Sequence, residues 1–346
     1  MTEAPALGGM RLSRRTVLAS GMSAVLAGCT EGEAEPETVP GPPLYDRPRH
    51  LVAAVFRGGG IGAEAVAAAA AAVGESFERD GFDASGLSLS TGLGPRPVAA
   101  VDDRLPGAER LPEFTREDLS PETRDGDALL LAGADDAVLP AMAVSAFAEA
   151  LDVEPAWTQR GFSSPRNLMG FHDGTENPES REELDDDVWI SEPGGLAGTT
   201  IAVVRRLRID LRRWNELPVE EQERAVGRRR HDGRPLSGAD IDLAAKRPDG
   251  EYEIPALSHV RRSHPLAAGA GRMLRRGYGY DNGPEDRGLL FISFQNSLRT
   301  FTATQRRMDK GDAMMEYTTA TASGSFLMLP TDDAGRTTVP AVLERR

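Results

Sequence analysis

Cysteine is almost absent from this chain. A single residue, Cys29, in 346 excludes any disulfide within the molecule, so no covalent staple holds the fold. Histidine is nearly as scarce, at His50, His172, His231, His259 and His264. No cluster of Cys and His has zinc spacing, which argues against a structural zinc. Long hydrophobic runs are missing too. The one apolar stretch near the start, ending around Val25, is short and rich in small residues, too short to span a bilayer. Positive charge is in deficit, with 54 acids against 40 bases and a net charge of −14, which counts against a nucleic acid partner. The basic runs Arg205-Arg206-Leu207-Arg208 and Arg228-Arg229-Arg230 are short and have acids close by in sequence. They read as solvated faces or anion contacts. What remains, 40% hydrophobic and 27% charged residues, is the composition of a soluble folded chain long enough for two domains.

The N-terminus reads as an address. Arg11-Leu12-Ser13-Arg14-Arg15-Thr16-Val17-Leu18 carries a twin arginine ahead of the short apolar run, the pattern of a signal for proteins exported already folded. The run ends in Leu26-Ala27-Gly28-Cys29, which is similar to a lipoprotein cleavage site. Residues 1–28 are therefore expected to be a removable signal, with Cys29 as a lipid anchor to a membrane surface. The competing reading is a signal-peptidase cut a few residues away, with the cysteine there by chance. Loss of residues 1–28 removes three arginines and one glutamate and leaves −16. Residues 29–48, with five prolines, read as a flexible tether.

Patterning then divides the chain into residues 49–158 and 159–346. In the first part, strands are expected at 51–57, 86–92, 128–133 and 156–160, with helices at Ala63–Glu78 and Pro140–Leu151. That order, βαββαβ, is the split βαβ or ferredoxin-like arrangement. A proline-containing stretch at 95–125 reads as a surface excursion. The second part repeats the theme less clearly, with strands at 201–209 and 289–295, helix at 211–227 interrupted by Pro218, and a helix from about Phe301. Between them, 228–288 is irregular, and so long a loop in a folded domain usually serves a site.

Three segments carry candidate chemistry. Asn167-Leu168-Met169-Gly170-Phe171-His172-Asp173-Gly174-Thr175-Glu176-Asn177-Pro178 is too rich in Gly, Asn and Pro for helix or strand. It is either a turn in which Asp173 bonds its own backbone or a loop that presents Asp173 to a ligand. His259-Val260-Arg261-Arg262-Ser263-His264-Pro265 offers two imidazoles, either of which suffices as an axial ligand for haem iron. Leu274-Arg275-Arg276-Gly277-Tyr278-Gly279-Tyr280-Asp281 reads as a loop with paired arginines, one of which can stabilise negative charge in a cavity.

These three segments, followed by Gly288-Leu289-Leu290-Phe291-Ile292-Ser293-Phe294-Gln295, resemble in order and spacing the dye-decolourising peroxidases, a haem family. The resemblance covers the C-terminal half and extends weakly to the N-terminal half through Gly92-Leu93-Gly94 and Asp125-Gly126-Asp127. It implies an α+β fold, two ferredoxin-like halves packed as an α+β barrel, with haem b held in the C-terminal half (159–346). It implies that Asp173 is the distal acid and base, that Arg275 is its partner (with Arg276 as the neighbour to be distinguished), and that His259 is the proximal ligand of the haem iron. His264 falls where the family pattern varies. Asp286 matches the acid that bonds the proximal imidazole, and Gly170, Phe171, Gly174, Thr175, Arg261 and Phe291 fall among the cofactor contacts. The implied reaction reduces hydrogen peroxide and oxidises organic donors by single electrons, with Trp157, Trp189, Trp214, Tyr278 and Tyr280 as candidate relays. The exported branch it resembles is associated with iron uptake, so iron-uptake components, a deferrochelatase-like haem-handling role and a homo-oligomer stay open. This chain departs from the pattern at His172, where a basic residue is usual, and at Gly58-Gly59-Gly60, which replaces the segment after the first strand.

Overall fold

Eight strands close on themselves. The computed structural model describes residues 47–172, 176–191, 195–332 and 334–344, all within one compact unit. The first half runs β1 (His50–Phe56), α1 (Ala63–Arg79), β2 (Ser88–Leu93), α2 (Pro95–Val101), β3 (Ala128–Ala134), α3 (Leu139–Leu151) and β4 (Pro155–Phe162). The second runs α4 (Arg181–Asp187), β5 (Thr200–Ile209), α5 (Leu211–Glu216), α6 (Val219–Val226), α7 (His259–Ser263), α8 (Pro265–Ala268), β6 (Leu274–Asp281), β7 (Arg287–Gln295), α9 (Leu298–Asp309) and β8 (Thr318–Met328). The expected leader, Cys29 and most of the tether lie outside the described residues. No helix among the described residues is long and apolar enough to cross a membrane.

Neighbouring strands follow the order β1-β3-β2-β8-β5-β7-β6-β4 around a closed barrel. Taken by halves this is β4-β1-β3-β2 and β8-β5-β7-β6, the same split βαβ order twice. The expected α+β architecture of two ferredoxin-like halves is the one observed. β4 runs on to Phe162, so the expected division at 158/159 falls inside a strand. Two seams join the halves: Gly92 and Leu93 pair with Met328 and Leu327, and Phe162 pairs with Gly279.

The second seam explains the one strand that sequence reading took for a loop. β6 contains Gly277 and Gly279, and glycine inside a run weakens a strand. Here the glycine is required by contact. A Cβ on Gly279 would lie 2.7 Å from the Phe162 ring, and one on Gly161 would lie 2.6 Å from Tyr278 Cβ. The N-terminal motifs serve a similar purpose. A Cβ on Gly94 would lie 1.8 Å from the Gly126 carbonyl, and Arg96 Nε donates to Asp127 Oδ1 at 2.7 Å, which locks the expected 95–125 excursion, whose start is α2, against β3.

Alternation along the strands sorts the barrel into layers. Ala202, Val204, Leu290, Ile292, Phe294, Phe326 and Met328 fill the interior. Outside the first half, α1 presents Val66, Ala69, Val73 and Phe77 at helical spacing to the sheet, and Phe147 of α3 meets Phe56 at 5.2 Å between ring centroids. The sheet of the second half has an outward face as well. On that outward face β5 carries Arg205, Leu207 and Ile209, β6 carries Arg275, and β7 carries Leu289 and Phe291, all of which line a cavity.

Candidate active site

The cavity holds about 460 Å³ between the outer face of β5, β6 and β7, the loop at 167–176, the segment 259–266 and α9, a volume typical of a cofactor site. Its walls are largely apolar, with Met169, Phe171, Val260, Leu289 and Phe291 among them, and polar groups converge at a few points: His172, Arg205, Arg228, His259, His264, Arg275 and Thr304.

Both candidate histidines reach it, and their surroundings differ. His259 begins α7. Its Nδ1 lies 2.7 Å from Oδ2 of Asp312, whose side chain is wholly buried. Asp312 Oδ1 accepts the backbone amides of Met314 at 3.0 Å and Met315 at 3.1 Å. With Oδ1 taken up by two amides, Oδ2 is free to accept the Nδ1 proton of a neutral His259, the arrangement that leaves the Nε2 lone pair for a ligand. Gly311, at φ +123°, turns the chain after α9 so that Asp312 can point back. Ala313 N–H donates to the Leu257 carbonyl at 2.9 Å, which ties this turn to the entrance of α7. His264 lacks such support: its Nδ1 is buried without a hydrogen-bond partner among the described residues. Burial lowers its pKa, with Glu176 opposing the shift.

The expected partner of the imidazole, Asp286, is elsewhere. It closes the β6–β7 hairpin and contacts Tyr280 at 3.4 Å, Asn282 at 2.9 Å and Arg206 at 3.5 Å. Five residues of strand separate Arg275, at the cavity, from Tyr280, beside Asp286. At about 3.3 Å per residue that is roughly 17 Å, so the hairpin places Asp286 at the far end of the strand pair. Arg261 is also redirected. Its guanidinium donates to the carbonyls of Ile254 and Leu243 and lies 4.2 Å from the Tyr252 ring centroid, fastening the irregular 240–258 segment rather than facing the cavity.

Asp173, Gly174 and Thr175 lie outside the described residues. Their described neighbours in sequence, His172 and Glu176, both line the cavity. Asn167 holds one side of the loop, its Oδ1 accepting from the amides of Met169 and Phe171, both at 3.1 Å. Asn177 holds the other with a two-way bond to Arg275: Nδ2 donates to the Arg275 carbonyl at 3.0 Å and Oδ1 accepts its amide at 2.9 Å. Gly170, at φ +91°, makes room for a side chain. A Cβ there would lie 2.6 Å from Arg230 Nε, so this glycine admits a guanidinium where a cofactor contact was expected. Phe171, Phe291 and Arg275 line the cavity. Arg276, the alternative, pairs with Ile292 of the barrel interior and so projects from the opposite face of β6.

Sequence reading missed several cavity residues. Arg205, buried in the outer face of β5, is held by Gln305 Oε1 at 3.0 Å and Glu117 Oε1 at 2.5 Å. Burial pushes this guanidinium below its usual value and Glu117 pulls it back. Arg228 pairs with Glu176 at 2.8 Å. Neither partner is near in sequence, and a mixed basic and acidic composition gave no sign of the pairing. Of the aromatic candidates, Trp189 and Tyr278 belong to the barrel core and Trp157 packs against it. Tyr280 is buried with Arg206 against its ring. Burial raises the pKa of both phenols, that of Tyr278 to about 12. Trp214 meets a cavity residue, with its ring centroid 6.1 Å from that of Phe171.

The donor set suits an iron porphyrin. A single oriented imidazole, apolar walls for a flat macrocycle and arginines at the margin are what such a group needs. Comparisons agree. A family model described as Dyp-type peroxidase, C-terminal, matches residues 164–333. The chain is 35% identical over 289 residues to the dye-decolorizing peroxidase of Thermobifida fusca (strain YX), a match spanning 73% of this chain and 67% of that protein. It is 36% identical over 188 residues to a deferrochelatase of Yersinia pestis, spanning 49% of this chain but only 43% of that protein. An X-ray generated oxyferrous complex of DtpA from Streptomyces lividans has a TM-score of 0.77 and 30% identity, with 86% of this chain and 94% of that one covered.

Proposed function

The chain belongs to the Dyp-type peroxidase family, and from that premise we propose that it is a haem peroxidase whose proximal ligand is His259. The observation that carries the assignment is the buried Asp312 behind His259, 2.7 Å from Nδ1, which orients the ring. Bound haem would supply the iron that reduces hydrogen peroxide and then accepts single electrons from organic donors. The protein holds the imidazole with Asp312, and that hydrogen bond increases the basicity of Nε2. Asp173, between the cavity-lining His172 and Glu176 in sequence, would take a proton from one peroxide oxygen and deliver it to the other before the O–O bond breaks. Arg275 offers its guanidinium to the negative charge that develops on the departing oxygen, and Asn177 fixes the strand position from which it does so.

The test is substitution of His259 and His264 in turn. His259→Ala is expected to lose or misligate haem, seen as a lost or displaced Soret band, and His264→Ala to retain it. The reverse pattern would overturn the assignment.

A second reading, a haem-handling protein of iron acquisition, draws on the similarity to deferrochelatases. Release of iron from haem without added peroxide would favour it. We also propose export by the twin-arginine route and lipidation at Cys29, on the Arg14-Arg15 and Leu26-Ala27-Gly28-Cys29 motifs. Cys29→Ser is expected to free the protein from membranes, and persistent membrane association would exclude the anchor.

A further inference from the structure

Ten methionines occur in the chain, and seven of them are among the described residues. Five of those seven, Met169, Met273, Met308, Met314 and Met315, line the cavity described above. The other two are Met142 on α3 and Met328 inside the barrel. Met169 and Met273 are buried, while Met308, Met314 and Met315 are partly exposed. Thioethers are adaptable packing groups, but peroxide also converts them to polar sulfoxides. A concentration of thioethers where peroxide is consumed therefore has a chemical consequence.

Met314 and Met315 differ from the rest in what their backbone does. Their amides are the two donors to Asp312 Oδ1, so they fix the carboxylate held against His259. The Thr318 hydroxyl donates to the Met315 carbonyl at 3.1 Å and lies 3.5 Å from its sulfur. We propose that Met314 and Met315 are oxidised in place by excess peroxide, and that their sulfoxides loosen the grip of Asp312 on His259. The pair is thus a reversible brake on the site. This rests on the peroxidase reading above.

The step is balanced. A sulfur lone pair attacks one oxygen of hydrogen peroxide, the S–O bond forms as the O–O bond breaks, and both hydrogens leave on the other oxygen as water. Sulfur loses two electrons to become sulfoxide and peroxide gains the same two, so no further reagent enters. A sulfoxide oxygen is a strong acceptor that an apolar wall cannot satisfy. It must claim a donor such as the Thr318 hydroxyl or turn towards solvent, and either movement displaces the 312–315 turn. Reduction of the sulfoxides by a thiol-dependent reductase restores the thioethers.

The experiment uses the full haem-loaded chain, exposed to stepwise hydrogen peroxide without an organic donor. Peptide mass mapping, the iron reduction potential and peroxide consumption are followed on the same samples. Met314 and Met315 are expected to gain one oxygen each several-fold faster than Met142, which is also partly exposed but lies away from the cavity. The potential is expected to rise towards that of Asp312→Asn as they do so. In Met314→Leu with Met315→Leu, which keeps volume and removes sulfur, the potential is expected to stay constant under the same exposure. Oxidation of Met142 at an equal rate, or oxidation of Met314 and Met315 with an unmoved potential, would overturn the proposal. Peroxide consumption with untouched cavity methionines would overturn it and leave the peroxidase reading standing. No consumption at all would overturn both.

Discussion

Asp312→Asn is the most informative single change. Asparagine has nearly the same size, so the buried turn can close around it, but its two ends are not equivalent. The end facing the amides of Met314 and Met315 must remain an acceptor, which directs the NH2 at His259 Nδ1, 2.7 Å away. Two donors cannot share that contact, so the imidazole moves its proton to Nε2, where it blocks the ligating lone pair. Loss of such a supporting partner typically weakens metal binding about 10–100-fold, which is about 1.4–2.8 kcal/mol. If the loss falls on ferric iron alone, the potential rises by about 60–120 mV at about 59 mV per tenfold for one electron. Haem titration followed by absorption and a potentiometric titration measure the two quantities. Affinity and potential both equal to wild type would refute the claim that Asp312 acts on the iron through His259.

Three further changes test the packing around the site. Burial raises the Asp125 pKa despite Arg110 and two further arginines, so the folded state favours the protonated form. The stability this confers exists below the ordinary aspartate range and is lost as pH rises through the raised value. Asp125→Asn should therefore stabilise the protein at pH ~7, with the gain shrinking below pH ~4; a gain that persists in acid denaturation curves would contradict it. Glu117→Ala leaves Arg205, with only 2% of its side chain exposed, without its carboxylate, and should cost about 3–5 kcal/mol in denaturant unfolding. Replacing both, as Glu117→Leu with Arg205→Met, should recover much of that, and a double variant as unstable as the single would argue against the unpaired charge as the cause. Gly170→Ala adds a methyl at positive φ against Arg230 and should lower stability by about 1–2 kcal/mol; an unchanged denaturation midpoint would show that the loop relaxes freely.

Sequence patterning located the first ferredoxin-like half because its strands are apolar and its helices show clear spacing, as in α1. It located the cavity loops because Gly170, Asn177 and the 259–265 segment break every regular pattern. β6 escaped because Gly277 and Gly279, needed at the barrel seam, disguise a strand. β8 escaped because its Thr-Thr-Ala-Thr-Ala-Ser-Gly-Ser run carries little apolar alternation. Asp312 was illegible for a different reason. It lies 53 residues from His259 in a Lys-Gly-Asp-Ala turn that resembles any helix exit, whereas Asp286 stands conspicuously before an apolar strand. Only the packing of α7 on α9 distinguishes them.

The central claim is that this cavity binds haem and that Asp173 moves the proton when peroxide reacts. Stopped-flow absorption of the haem-loaded protein mixed with one equivalent of hydrogen peroxide tests it most directly, with Asp173→Asn alongside. The Soret band is expected to shift rapidly in the wild-type protein, to return when an organic donor is added, and to shift much more slowly in Asp173→Asn. A wild-type spectrum unmoved by peroxide, or an Asp173→Asn protein that reacts as fast as wild type, would contradict it.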